Sequence, residues 1–103
     1  MPVEILRRPQ ALRDIEECFV YIAEDNLEIG VRFLAAVEGS LKQISQFPFI
    51  GQERRFTNIQ FQSLRMWHVK NFENYLIFYL VAEGKVEIIR VLYSSRDVRE
   101  IFT

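Results

Sequence analysis

NYLIFYLVAEGKVEIIRVLY, residues 74–93, decides the fold. Two apolar runs, NYLIFYLVA (74–82) and KVEIIRVLY (85–93), flank Glu83-Gly84, and a two-residue connection of this kind needs positive φ and makes a β-hairpin. The tight turn sets the register. With Ala82 opposite Lys85, Val81 pairs with Val86, Tyr79 with Ile88, Ile77 with Arg90 and Tyr75 with Leu92. The opposite face then holds Leu80 with Glu87, Phe78 with Ile89 and Leu76 with Val91, with Tyr93 at its end.

Upstream, SLRMWHVK (63–70) keeps the period of two and supplies a third strand, joined through NFEN (71–74) as a looser turn. That connection puts Leu64 and Met66 on the first face and Arg65, Trp67 and Val69 on the second. FPFIGQERRFTN (47–58) reads as a loop, opened by Phe47-Pro48 and pivoting on Gly51.

Before the loop the period is helical. Pro9 suits a first helical turn, and Leu12, Ile15, Phe19 and Ile22 form one apolar stripe ending near Asp25. Asn26 caps a second helix whose stripe is Leu34, Val37, Leu41 and Ile44, with Phe33 beside it. So short a connection makes an antiparallel helical hairpin. Gly30 and Gly39 each weaken the second helix by up to about 1 kcal/mol, or else they allow close helix approach. VEILR (3–7) is a short first strand, and a helical tail starts near Ser95. The order β-α-α-β-β-β plus tail predicts an α+β fold, a helical hairpin packed on a largely antiparallel sheet.

Only one face of the sheet can meet the helices. The first face, richer in bulky aliphatic and tyrosine pairs, is expected to be the core. The second is expected to be an open apolar groove for a partner, the alternative being that loop 47–61 or the C-terminal tail covers it. Arg90 then lies on the core face, where an unpaired cation costs several kcal/mol. Asp97, just past the strand, is the expected ion-pair partner, with Asp14, Glu16 and Glu17 as alternatives.

At 103 residues the chain has room for one domain, 1–103, and half its residues are apolar. A net charge of −1 does not call for direct nucleic-acid binding. A lone cysteine, Cys18, rules out an internal disulfide framework and fits a reducing cytoplasm. Neither a membrane span nor a signal peptide is legible, and no cofactor or metal is expected.

LRMWHVKNFENYLIFYLV…VEIIRVLYSSRD resembles the RelE/ParE superfamily of bacterial toxin–antitoxin toxins, specifically its ParE-like branch. YIAED (21–25) and QFPFIGQERR (46–55), a version of the family's P-x-x-G-x-x-R element, strengthen the likeness, which runs over essentially the whole chain. The resemblance implies the toxin of a type II toxin–antitoxin, or plasmid stabilisation, system. It also implies an antitoxin from a neighbouring gene that wraps the toxin and packs an apolar segment against it. The sequence departs from the family at Tyr93, where a His is common, near His68, where a Pro is common, and at Leu76 and Leu80, where relatives are basic.

RelE-like relatives cut messenger RNA on the ribosome, which requires an activated ribose 2′-OH, cations on the phosphate and an acid for the leaving oxygen. Of their groups, the resemblance leaves Arg96, while the strand arginine becomes Leu76, Lys70 stands alone and the C-terminal tyrosine becomes Phe102. Tyr93 and His68 are the only stand-ins as acid or base. ParE-like relatives instead bind DNA gyrase and trap its cleaved-DNA state, which needs a surface and no catalytic group. On that reading Arg65, Trp67, Leu76, Phe78, Val91, Tyr93, Arg96, Val98 and Phe102 are the candidates for antitoxin or target contact. A decayed toxin that only binds its antitoxin is the third reading.

Overall fold

The structure is a computed structural model and describes residues 2–102. Strand β1 (Glu4–Arg7) leads into helix α1 (Pro9–Asp25) and, after one residue, helix α2 (Leu27–Gln46). Strand β2 (Gln52–Arg54), a 3-10 turn (Ile59–Phe61) and strands β3 (Leu64–Val69), β4 (Phe72–Ala82) and β5 (Lys85–Tyr93) follow, before helix α3 (Val98–Ile101). The sheet order is β1-β5-β4-β3-β2, with β1 parallel to β5 and the other neighbours antiparallel. The expected α+β class and element order hold, and β2 is an addition inside what reads as loop.

Local chemistry explains the boundaries. Asn26 donates its N–H to the Ile22 carbonyl (3.0 Å) while its side chain accepts from Ile29 (3.1 Å), so one residue ends α1 and caps α2. Gly30 lets the helices close. A Cβ there would stand 3.0 Å from the Ala23 Cβ and 3.1 Å from the Phe19 ring. Gly39 has no such role, since a Cβ at that position would meet nothing within 4 Å.

The helix–sheet core takes Phe33, Val37, Leu41 and Ile44 from α2 and Tyr75, Ile77, Tyr79, Val86, Ile88 and Val91 from the hairpin. On α1 the buried stripe keeps Ile15 and Ile22 of the expected one but turns away from Leu12. It runs through Ala11, Asp14, Ile15, Cys18 and Ile22, and Leu12 is 51% exposed. Tyr79, fully buried, accepts from the Gly51 N–H and donates to the Pro48 carbonyl, each at 2.8 Å, which ties the loop after α2 to the sheet.

Three expectations about the sheet are corrected. The hairpin register holds from Ala82↔Lys85 to Tyr79↔Ile88, but Ile89 forms a β-bulge, after which Phe78 faces Arg90, Ile77 faces Val91 and Leu76 faces Leu92. Val91 thereby joins the helix-facing core. The β3–β4 turn is Lys70-Asn71, with Asn71 at φ 66°, and β4 already begins at Phe72. This inverts the faces of β3, because a one-residue slip moves every side chain across the sheet. Arg65 and Trp67 pair with Tyr79 and Ile77 on the helix side, while Met66 pairs with Phe78 on the other.

The second face is not an open groove. Leu64, Met66, Leu76, Phe78, Ile89, Leu92 and Phe102 form a second buried cluster, with Phe56, Phe61, Val98 and Ile101 packed over it. Phe102 stacks at 4.9–5.1 Å from the rings of Phe56, Phe61 and Phe78. Loop and tail together close the face.

Candidate functional site

Strand β1 pairs with β5 only as far as Arg7↔Ile88, so the outer edge of β5 beyond that point faces α1 directly. Asp14 fills the gap. Its carboxylate is 3% exposed and accepts from Arg90 Nε (2.7 Å), Arg90 Nη2 (3.1 Å), the Val91 N–H (3.0 Å) and Gln10 Nε2 (2.9 Å). A side chain thus stands where a neighbouring strand's carbonyl would have been. The strand cation Arg90 is paired with Asp14 and not with the expected Asp97. Asp97 lies beyond the strand and instead caps α3, accepting from Glu100 N–H at 3.2 Å.

Above this pair a cleft of about 460 Å³ opens between α1 and the end of β5. Glu17, Cys18 and Tyr21 come from α1, Tyr75 from β4, and Tyr93 and Arg96 from β5 and the turn after it. Asp14, Glu17, Cys18 and Tyr21 recur at spacings of three and four, so helical periodicity places them on one face. Tyr21 is 73% exposed and Tyr93 40%, and the Tyr93 ring meets Tyr75 edge-on at 5.0 Å. Arg96 is positioned by its N–H to the Tyr93 carbonyl, 3.0 Å.

The cleft lacks a ready nucleophile. Burial, reinforced by the charges of Asp14 and Glu17 and opposed by Arg96, pushes the Cys18 thiol up to about 11, so it stays protonated at neutral pH. Burial also raises Tyr75 above the ordinary phenol value. Asp14 is saturated with donors. What the cleft offers is aromatic surface, hydroxyls, the Glu17 carboxylate and one guanidinium.

The other sequence-derived candidates lie elsewhere. His68 lines a second cleft, between α2 and β3, together with Trp67. Trp67 is half-buried, and its Nε1 donates to Gln43 of α2 at 3.0 Å. Arg65 donates to the carbonyls of Gly51 (2.8 Å) and Phe49 (3.3 Å) and lies 4.9 Å from the Phe49 ring, pinning the loop. Leu76, Phe78, Val91 and Phe102 are buried, and Val98 is packed against the second cluster. So Tyr93 and Arg96 share one cleft and His68 does not join them. Sequence reasoning named Asp14 and Glu17 only as alternative partners of Arg90 and missed Tyr21; the helical face that the three share was the available signal.

Among the described residues, no group of three or more His, Cys, Asp or Glu could hold a metal ion, and no helix is long and apolar enough to cross a membrane. The comparison with curated proteins gives no match. A family model does: that of the ParE toxin of type II toxin–antitoxin systems matches residues 5–98, from β1 into the start of α3. With a match over nearly its full length, the chain belongs to the ParE toxin family of type II toxin–antitoxin systems.

Proposed function

We propose that this toxin acts in the cytoplasm by binding DNA gyrase, without making or breaking a covalent bond itself, and that a cognate antitoxin encoded beside it neutralises it. The separation of the groups a ribonuclease would need carries this reading. General acid–base cleavage of RNA requires base, acid and phosphate-binding cations around one scissile bond. Here Tyr93 and Arg96 line one cleft and His68 lines another. Phe102, at the place of the nuclease branch's tyrosine, is buried and carries no ionisable group.

A protein-binding toxin needs only a surface. Exposed Tyr21, Tyr93 and Arg96 are of the residue types that dominate binding hot spots. Of the sequence-derived contacts, these considerations favour Tyr93 and Arg96 as direct ones. Leu76, Phe78, Val91 and Phe102 contribute through the fold.

The test pairs two assays on purified toxin. In a gyrase supercoiling assay the wild type is expected to inhibit and to accumulate cleaved DNA. Tyr93→Ala with Arg96→Ala should weaken that inhibition tenfold or more, about 1.4 kcal/mol. In primer extension on ribosome-bound message no toxin-specific cut is expected, and specific cuts lost on Arg96→Ala would overturn the gyrase reading in favour of the ribonuclease.

A further inference from the structure

Two features of α2 and β3 have no role in the fold described above. One is Gly39, an exposed glycine inside α2 that weakens the helix and permits no close approach. The other is the outer edge of β3, which β2 covers only from Leu64 to Met66 and which, among the described residues, has no strand beside it from Trp67 to Val69. They border one cleft of about 490 Å³, walled by Gly39, Lys42 and Gln43 of α2 and by Trp67, His68 and Lys70.

The charge there is distinctive. The chain is net negative and has three lysines, and two of them, Lys42 and Lys70, stand on this cleft with its one histidine and one tryptophan. Among the described residues Glu73 is the cleft's lone carboxylate, and its backbone carbonyl accepts from His68 Nδ1 at 2.8 Å, leaving Nε2 for a ligand. An uncovered strand edge offers backbone hydrogen bonds to an extended segment, and flanking side-chain pockets give the specificity.

We propose that this cleft is a docking site for an extended, acidic segment of the cognate antitoxin. The segment lies along the edge of β3, with carboxylates on Lys42 and Lys70 and an apolar side chain in the space that Gly39 leaves beside Trp67. The identity of the partner rests on the toxin reading; the site and the chemistry of its occupant rest on the cleft.

The experiment co-expresses the toxin with the antitoxin of the adjoining gene and measures affinity by Trp67 fluorescence and calorimetry. Lys42→Glu with Lys70→Glu should weaken binding at least tenfold and flatten its salt dependence. Arg55→Glu with Lys85→Glu, an equal charge change elsewhere, should stay within about twofold. Gly39→Leu should fill the cleft and weaken binding while leaving the melting temperature unchanged or higher, so loss of fold cannot account for the result. Wild-type affinity in both cleft variants overturns the proposal alone. A wild-type toxin that does not bind the antitoxin at all overturns the antitoxin assignment with it.

Discussion

Asp14 of α1 and Arg90 of β5 form a bidentate pair, 2.7 and 3.1 Å, and the same carboxylate accepts the Val91 N–H at 3.0 Å. One side chain therefore neutralises a strand cation and closes the sheet edge that β1 leaves open. Its removal strands the Arg90 guanidinium, the Val91 N–H and the Gln10 amide at once. Asp14→Ala is expected to destabilise the fold by about 3–5 kcal/mol, as breaking a buried pair does when one charge remains. Arg90→Leu with Asp14→Leu should cost less than Asp14→Ala alone, because no charge is left buried. Chemical denaturation of the variants checks this, and Asp97→Ala is the contrast. It loses only a helix cap, about 1 kcal/mol. An Asp97→Ala loss equal to that of Asp14→Ala would refute the assignment.

Arg7 and Glu38 tie β1 to α2 through two hydrogen bonds of 2.5 and 2.7 Å. The Arg7 hydrogen bond, and secondarily its charge, hold the Glu38 carboxyl below its ordinary value of 4.5 against the opposing effect of burial. A carboxylate with a lower pKa folded than unfolded adds stability above its unfolded pKa and loses it as pH falls through the folded one. The Glu38 side chain is 58% exposed, so solvent screening limits the pair to about 1 kcal/mol or less. Glu38→Gln should thus lower the melting temperature at pH 7 by no more than about 8 °C. The difference from wild type should shrink as pH drops from about 5 toward 3. A difference that stays constant across a pH series would assign the loss to packing.

How far the sequence reading reached depends on where the chain marks its turns. Gly84 takes φ 71°, and the register read outward from it is right for as long as the strands stay regular. Ile89 ends that. Ile88 and Ile89 are both apolar and suit either face, so nothing local announces the bulge. Asn71 is an equally quiet mark. Its side chain is polar in either turn, and only its φ of 66° moves the β3–β4 turn to Lys70-Asn71 and carries Trp67 to the helix side. The cleft at the end of β5 was half legible: Tyr93 and Arg96 stood out beside the strand end. Asp14 and Glu17 entered only as alternative partners of Arg90 and Tyr21 not at all, because helical periodicity alone does not say which face of α1 meets the end of β5.

Tyr79 and Gly51 make contact so close that neither residue tolerates a neighbour of another size. A Cβ on Gly51 would fall 2.5 Å from the Tyr79 hydroxyl and 2.9 Å from the Met66 carbonyl. Gly51→Ala is therefore expected to cost about 1–3 kcal/mol by overpacking, and the backbone carbonyl cannot rotate away as a side chain would. Tyr79→Phe keeps the ring but orphans the Gly51 N–H and the Pro48 carbonyl, for about 1–3 kcal/mol. Combined, the two changes should cost less than their sum, since loss of the Tyr79 hydroxyl removes the nearest clash of a Cβ at position 51, while the ring edge at 2.8 Å and the Met66 carbonyl at 2.9 Å remain. Urea melts of the two single variants and the double complete the cycle, and strict additivity would show that the two groups do not interact.

Phe102 anchors the C-terminal tail, 1% exposed against Phe56, Phe61 and Phe78. Without it Leu76, Phe78 and Leu92 lose their cover, and that side of the sheet becomes the apolar groove that the bare strand pattern suggests. A buried Phe→Ala change costs about 3–5 kcal/mol in an interior. Here the tail can detach, so the loss is capped by the free energy that docks residues 98–102. Phe102→Ala should accordingly destabilise by about 2–4 kcal/mol, with the helix–sheet core still folded. Amide exchange in 98–102 should become fast while Val37, Ile77 and Val91 stay protected, and a dye specific for exposed apolar surface should bind. Global loss of protection would mean that the tail is part of the folding unit and not a cover on it.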